Sequence, residues 1–468
     1  MSGTALLRTC NRSVGIIVCM MDNEKNIFDT DKIFRLLMKT APPVMLAQLI
    51  QALYNIVDSF FIGRYSGDAL TALSVVFPIQ LLSSSIAIGT AVGVNILIAR
   101  FLATEREKDA ENVAGTGLLL AILSWIVFIG VSFLILNIYI PFSVEAPEAQ
   151  RYAFIYGRIV CAGSIGIFLE STWSKILQAR GNMKRPMAAQ ITGALVNIGL
   201  DPILIFGVGR FEGWGIAGAA IATVIGQIVA AVITGRKGFY RIPQFAVARS
   251  FIPTIYKAAL PNIIMQVLYS VYIAGLNLVL ARFGDAAVTV LGLYYKLQTF
   301  FFIPTIALET CVMPIFSYNY AREKLLRCKK IFWVSEGISV VCLAVACILF
   351  VVIPVPLLQI FSNNPEVLTV GETALKIIGP SFLPASIGFL SVTFFQATGK
   401  PVQSIVLTLM RQVFLLVPVA WALAFLGVDY VWFTYPITET VVGVTGYLLY
   451  WKMTKGWKAP KMESATPK

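Results

Sequence analysis

The amino-acid sequence predicts an all-α integral membrane protein, with twelve transmembrane helices in two six-helix lobes related by a pseudo-two-fold axis along the membrane normal. Three observations predict it: an apolar composition, twelve apolar stretches of spanning length, and an internal repeat.

Hydrophobic residues make up 57% of the chain and charged residues 13%, with a mean hydropathy of +0.79. A soluble domain is about 45–50% apolar and about 25% charged. Roughly 20 helical residues cross a ~30 Å hydrocarbon core. Stretches of that length fall near 43–63, 69–102, 113–140, 151–179, 187–208, 215–236, 258–282, 286–320, 330–358, 371–397, 402–427 and 431–452. Several exceed a minimal span, so tilt or extension beyond the bilayer is expected. The hydrophobicity is continuous rather than alternating, which excludes a β-barrel.

A net charge of +13 would suggest nucleic acid as the partner of a soluble protein. Placed on the predicted topology, 28 Lys and Arg residues fall in inner segments and five in outer loops: Arg64, Arg151, Arg210, Arg282 and Lys376. This asymmetry predicts that both termini lie in the cytoplasm and that the chain is a multi-pass protein of the plasma (inner) membrane. Arg158, Lys175, Lys296 and Arg411 remain inside spans. The expected partners are the bilayer and small organic molecules, not nucleic acid, with the chain acting as a monomer.

The seven cysteines include no Cys-x-x-Cys pair, and Cys161, Cys311, Cys342 and Cys347 fall within helices as small packing residues. The chain has no histidine, so carboxylates must carry any proton chemistry. No cofactor or metal framework is implied. The run VGIIVCMM from Val14 is too short to span the membrane and has no cleavage site after it; residues 1–30 read as a tail, with Met20 or Met21 as an alternative start.

Self-comparison shows an offset near 218 residues. PVMLAQ at Pro43 matches PNIIMQ at Pro261, Arg64 matches Arg282, Gln80 matches Gln298, and LQARG at Leu177 recurs as FQATG at Phe395. Matches at nearly one offset indicate duplication. Six spans per copy, an even number, give both copies the same orientation, a parallel repeat. The expected organisation is a first lobe over 31–236, a cytoplasmic connector over 237–257, a second lobe over 258–455 and a tail over 456–468.

Duplication also serves as a control, because scaffold residues should recur and a single ion site need not. Asp58 aligns with Leu276, and Asp201, after a three-residue shift, with Leu416. Both carboxylates therefore belong to the first lobe alone. An ionised side chain at the bilayer centre costs at least about 2.5–3.5 kcal/mol, so such residues usually face a cavity or a partner. Gln48, Gln51, Asn55 and Asp58 lie along one helix face, and Gln190, Asn197 and Asp201 repeat the pattern in the fifth span. Pro202 frees the carbonyl of Ile198 beside them. These oxygens suit either a hard cation such as Na⁺ or a carboxyl that exchanges protons. The plainer alternative is that the acids tie helices together by hydrogen bonding.

YNIVDSFFIGR at Tyr54 with GDAL at Gly67, GNMKRP at Gly181, VNIGLDPILIFG at Val196, GIAGAAIATVIGQ at Gly215 and FSYNYAREK at Phe316 resemble the multidrug and toxic compound extrusion (MATE) family, in its bacterial MepA-like branch. The resemblance runs from about residue 30 to 455, in order, through both halves. It implies an alternating-access exporter driven by entry of H⁺ or Na⁺. It places Asp58 at the family's first-helix acid, Asn197 and Asp201 at its fifth-helix Asn-x-x-x-Asp, and Thr223 at a sixth-helix hydroxyl of the same cation site; Asn55 joins this candidate site by its helical spacing from Asp58. The branch with acids in helices seven and ten has no counterpart in 258–282 or 379–396, so coupling is expected in the first lobe.

The second lobe instead carries Lys296, Glu309 and Arg411 at membrane depth, where the first has Pro78, Ala91 and Val196. Three readings are open: Glu309 paired with Lys296 or Arg411 and separating during transport, a set of contacts to an anionic substrate group, or a structural ion pair. Glu170, close in sequence to Arg158 and Lys175, is either a packing partner or a cavity carboxylate for cationic substrates. Tyr294, Tyr295, Phe300 and Phe301 read as lipid-facing or packing aromatics before cavity ones.

Export of amphipathic, cationic organic compounds in exchange for H⁺ or Na⁺ is the expected function. The alternative is a lipid or lipid-linked saccharide flippase, in which Lys296 and Arg411 would meet phosphate; a channel or receptor fits the one-sided acids less well. No nucleophile elbow, P-loop or metal motif points to an enzyme.

Overall fold

The computed structural model describes residues 32–144, 146–209 and 211–457. The tail with its VGIIVCMM run, Arg210 and the segment after 457 lie outside the described residues.

The first lobe contains α1 (Ile33–Tyr65), α2 (Gly67–Ala103), α3 (Glu107–Ser143), α4 (Pro147–Gly163), α5 (Ile165–Ala179), α6 (Lys184–Phe206) and α7 (Ile216–Gly238). A two-stranded hairpin, β1 (Gly207–Val208) against β2 (Phe211–Glu212), joins α6 to α7. The second lobe contains α8 (Phe245–Leu280), α9 (Asp285–Ala321), α10 (Leu325–Val352), α11 (Pro354–Gln359), α12 (Pro365–Ile378), α13 (Phe382–Ala397), α14 (Pro401–Leu409), a π-helical turn (Met410–Leu415), α15 (Leu416–Leu423), α16 (Val428–Val431) and α17 (Thr434–Thr454). Among the described residues, eleven spans are long and apolar enough to cross a membrane, with α4–α5 and α12–α13 each counted as one. The twelfth expected span is α17, 21 residues long and less apolar than the others because it carries Glu439 among threonines and tyrosines.

Both fourth spans break at the same place in the repeat. The Ser164 hydroxyl donates to the Cys161 carbonyl between α4 and α5 (2.7 Å), and Ser381 donates to Ile378 between α12 and α13 (2.6 Å). A serine that bonds the carbonyl three residues back competes with the helical ladder and bends it. Both inner hairpins also hold a glutamate in the left-handed region, Glu105 (φ 58°) and Glu323 (φ 55°), again 218 residues apart. The connector departs from its expected bounds: α8 already starts at Phe245, leaving only 239–244 outside helix.

The lobes meet where α2 packs on α8 and α1 on α9. At the end of the bundle that holds Ile33 and Ala103, an apolar core spans both lobes through Leu37, Ile96, Phe316 and Phe394, all fully buried. Arg100 Nη2 donates to Ala397 O (2.9 Å), Arg322 Nε to Ala103 O (3.0 Å) and Cys311 Sγ to Thr40 O (3.3 Å) across the same seam. The two halves are thus closed together at this end, with a cavity beyond the seal. Large apolar residues such as Phe142, Leu278 and Phe425 point outward, as a lipid-facing surface requires.

Candidate functional site

The cavity between the lobes has a volume of about 590 Å³ and is lined from both halves. Its first-lobe wall includes Gln51, Tyr54, Glu170, Lys175, Asn197 and Thr223; its second-lobe wall includes Asn262, Glu309, Gln396, Arg411 and Gln412.

Behind the first-lobe wall, the expected acids come together. Asp58 on α1 is 6% exposed and Asp201 on α6 is fully buried. Asn197, one turn before Asp201, donates from Nδ2 toward Asp201 Oδ1 (3.4 Å) and toward Thr223 Oγ1 on α7 (3.5 Å). The contact between α6 and α7 depends on two glycines. A Cβ on Gly193 would lie 2.6 Å from the Gly226 carbonyl, and one on Gly226 2.7 Å from the Gly193 carbonyl and 3.2 Å from the Asn197 Cβ. Small residues permit this approach of helix backbones in a membrane, and the approach brings Thr223 within reach of Asn197.

Asp58 Oδ1, Asn197 Oδ1 and Asp201 Oδ2 are buried acceptors without a hydrogen-bond partner. Unsatisfied buried oxygens carry the full cost of desolvation, so a cation or proton that satisfies them binds favourably. Oxygen ligands of this kind fit a hard monovalent cation, with Asp58, Asn197, Asp201 and Thr223 as the residues that would hold it. No group of three His, Cys, Asp or Glu suited to a metal ion occurs among the described residues. The Tyr54 hydroxyl lies within electrostatic reach of both carboxylates, and Tyr156 accepts a hydrogen bond from Gln80 Nε2 (3.4 Å). Sequence reasoning missed these two tyrosines, which the aromatic background of the spans concealed. Asn55 stands apart: its Nδ2 donates to the Gln51 carbonyl of its own helix (3.0 Å) and it is exposed.

In the second lobe the pairing of Glu309 with Lys296 or Arg411 is corrected. Arg411, at the π-helical turn, binds Glu439 of α17 through Nε (2.8 Å) and Nη2 (2.7 Å), with its guanidinium 4.6 Å from the Phe389 ring centroid. Lys296 lies away from the cavity, over the Phe361 ring (5.7 Å). Glu439 was legible as a lone acid in an apolar span, by the reasoning applied to Asp58. So was Glu336 on α10, which accepts a hydrogen bond from Ser386. Glu170 accepts from Ser174 (2.6 Å) and Gln190 (3.4 Å), while Arg158 lies over Phe154 instead of near it. Tyr294 and Tyr295 are packed in a tyrosine cluster with Tyr269, Tyr272 and Tyr435 rather than facing lipid.

An oxygen-lined pocket in one lobe, beside an interlobe cavity in a duplicated twelve-helix bundle, is the architecture of a membrane transporter. The MatE family model matches residues 43–203 and again 261–422, two copies that start 218 residues apart. The chain belongs to the MatE family, and within this family of bacterial efflux transporters to the MepA-like branch. It is 27% identical over 441 residues to the FAD transporter of Shewanella oneidensis, covering 91% of this chain and 96% of the relative. It is 24% identical over 431 residues to the multidrug export protein MepA of Staphylococcus haemolyticus, covering 90% and 94%. In fold it is similar to a MOP superfamily transporter from Pyrococcus furiosus, described as having a binding pocket of reverse polarity (TM-score 0.86, 22% identity, 93% of this chain and 99% of that one). It is equally similar to a multidrug resistance MATE transporter in an outward-facing conformation (TM-score 0.84, 22% identity, 93% and 99%).

Proposed function

We propose that the protein exports amphipathic organic compounds, including organic cations, from the cytoplasm in exchange for H⁺ or Na⁺ by alternating access. The observation that carries this reading is the set of three unpartnered buried oxygens on Asp58, Asn197 and Asp201, confined to one lobe, with Asp58 and Asp201 behind the cavity-lining Asn197, Thr223 and Tyr54. Ion binding there satisfies the oxygens and alters the wall against which substrate packs. Exchange follows if ion and substrate favour different states, since a ligand shifts an equilibrium only by its differential affinity. Glu170 supplies a counter-charge for cationic substrates. Engagement of Arg411 by Glu439 and the position of Lys296 outside the cavity take away the two second-lobe cations that a phosphate-binding flippase would use.

The chain works as a monomer in the plasma membrane with both termini in the cytoplasm and needs no cofactor beyond the coupling ion. Residues 31–236 and 258–455 act as the moving lobes. The test is uptake of a fluorescent lipophilic cation into proteoliposomes under an imposed pH or Na⁺ gradient, one at a time. One gradient should drive uptake in the wild type and fail in Asp58→Asn and Asp201→Asn. Undiminished uptake in both variants would remove the coupling assignment.

A further inference from the structure

The second-lobe wall of the cavity carries a polar set that neither the coupling site nor the Arg411–Glu439 pair uses. Asn262 on α8, Thr305 and Glu309 on α9, Gln396 on α13 and Gln412 in the π-helical turn all line the cavity. Each leaves one buried oxygen without a hydrogen-bond partner: Asn262 Oδ1, Thr305 Oγ1, Glu309 Oε1, Gln396 Oε1 and Gln412 Oε1. Asn262, Thr305, Gln396 and Gln412 are 8%, 3%, 3% and 4% exposed. Gln396 is oriented by its own amide, whose Nε2 donates to Ser404 Oγ (3.2 Å) and leaves the oxygen over. Thr305 and Glu309 are four residues apart and share a helix face.

The common scaffold does not require this set. At the 218-residue offset, Asn262, Thr305 and Glu309 correspond to Val44, Ala87 and Ala91. The nearest cation, Arg411, is already held by Glu439, so Glu309 is the second-lobe carboxylate left facing the cavity without an ion pair. Five unpartnered oxygens, one of them on a carboxylate, suit a ligand that is positive and carries N–H groups.

We propose that this wall is a receptor for an N–H-donating ammonium, a primary or secondary amine on an amphipathic substrate. Glu309 binds the charge, and the oxygens of Asn262, Thr305, Gln396 and Gln412 accept the N–H groups. A quaternary ammonium has the same charge and no N–H to give. Such a cation leaves those acceptors unsatisfied, and a site built to hydrogen-bond discriminates strongly against a ligand that lacks the donor. The inference rests on the export reading for its physiological meaning, but not for its test.

The test is equilibrium binding to the purified full-length protein of a matched pair, 2-(1-naphthyl)ethylamine and its N,N,N-trimethyl derivative, at a pH where both are cations. The primary amine should bind about tenfold or more tightly than the quaternary one, as the loss of hydrogen bonds to a charged group predicts. In Glu309→Gln and in Thr305→Val this ratio should fall toward one; the second variant keeps the comparison meaningful if the first folds poorly. Equal binding of the pair by the wild type would overturn the proposal. So would displacement of both compounds by Na⁺ in the wild type but not in Glu309→Gln, which would make the oxygens an inorganic-cation site. Gradient-driven uptake of the primary amine by wild-type proteoliposomes separates the two readings: uptake with a ratio of one sinks only the receptor, and a high ratio without uptake sinks only the export reading.

Discussion

Arg411 grips a single oxygen of Glu439 with both Nε and Nη2, at 2.8 and 2.7 Å, across the 28 residues that separate the π-helical turn from α17. The side chains are 11% and 4% exposed. Removing one member of such a pair leaves an uncompensated buried charge, at a cost of about 3–5 kcal/mol. Glu439→Gln should therefore lower the thermal unfolding midpoint of the detergent-solubilised protein markedly. Combining it with Arg411→Gln should recover most of the loss, because neither charge then remains.

The Gly193–Gly226 crossing positions Asn197 against Thr223. Gly226→Ala places a methyl group 2.7 Å from the Gly193 carbonyl and 3.2 Å from Asn197 Cβ. Overpacking of this kind costs about 1–3 kcal/mol. We expect a lowered unfolding midpoint together with reduced gradient-driven uptake, whereas Gly130→Ala, which meets nothing within 4 Å, should leave both unchanged.

Closure of the lobes beside the Ile33 end depends in part on Arg100, whose Nη2 reaches the Ala397 carbonyl. A hydrogen bond from a charged group contributes about 1.5–3 kcal/mol, so Arg100→Ala should raise the opening equilibrium by roughly tenfold or more. The check is thiol labelling of Leu37→Cys, a fully buried position, in a background lacking the native cysteines. Labelling should be faster when Arg100 is absent; equal rates would show that the apolar core alone holds the seal.

Lys296 lies over Phe361 and outside the cavity. Lys296→Met should leave the uptake rate within about twofold of wild type. A large loss would return this lysine to the substrate path.

Much of the candidate site was legible in the sequence. Asp58 and Asp201 stood out because an acid in an apolar run is costly, and the repeat showed that neither belongs to the shared scaffold. The same cost marks Glu336 and Glu439, lone acids in apolar spans of the second lobe. The reading of Asn55 as a neighbour of Asp58 came from helical spacing, which places residues on a face but does not say whether a side chain turns back onto its own backbone.

By itself the sequence determined the hydrophobic class, the number of spans, the duplication and the identity of the buried acids, because these depend on local composition, helical period and self-similarity along one chain. Only the tertiary structure decided which charges neutralise each other and which are left over. Arg411 sits in the same cavity wall as Glu309 yet binds Glu439, and Lys296 binds neither acid. Partner choice is a matter of distance between helices far apart in sequence, and in a low-dielectric interior a few ångströms determine whether a charge is paired or free to bind a ligand.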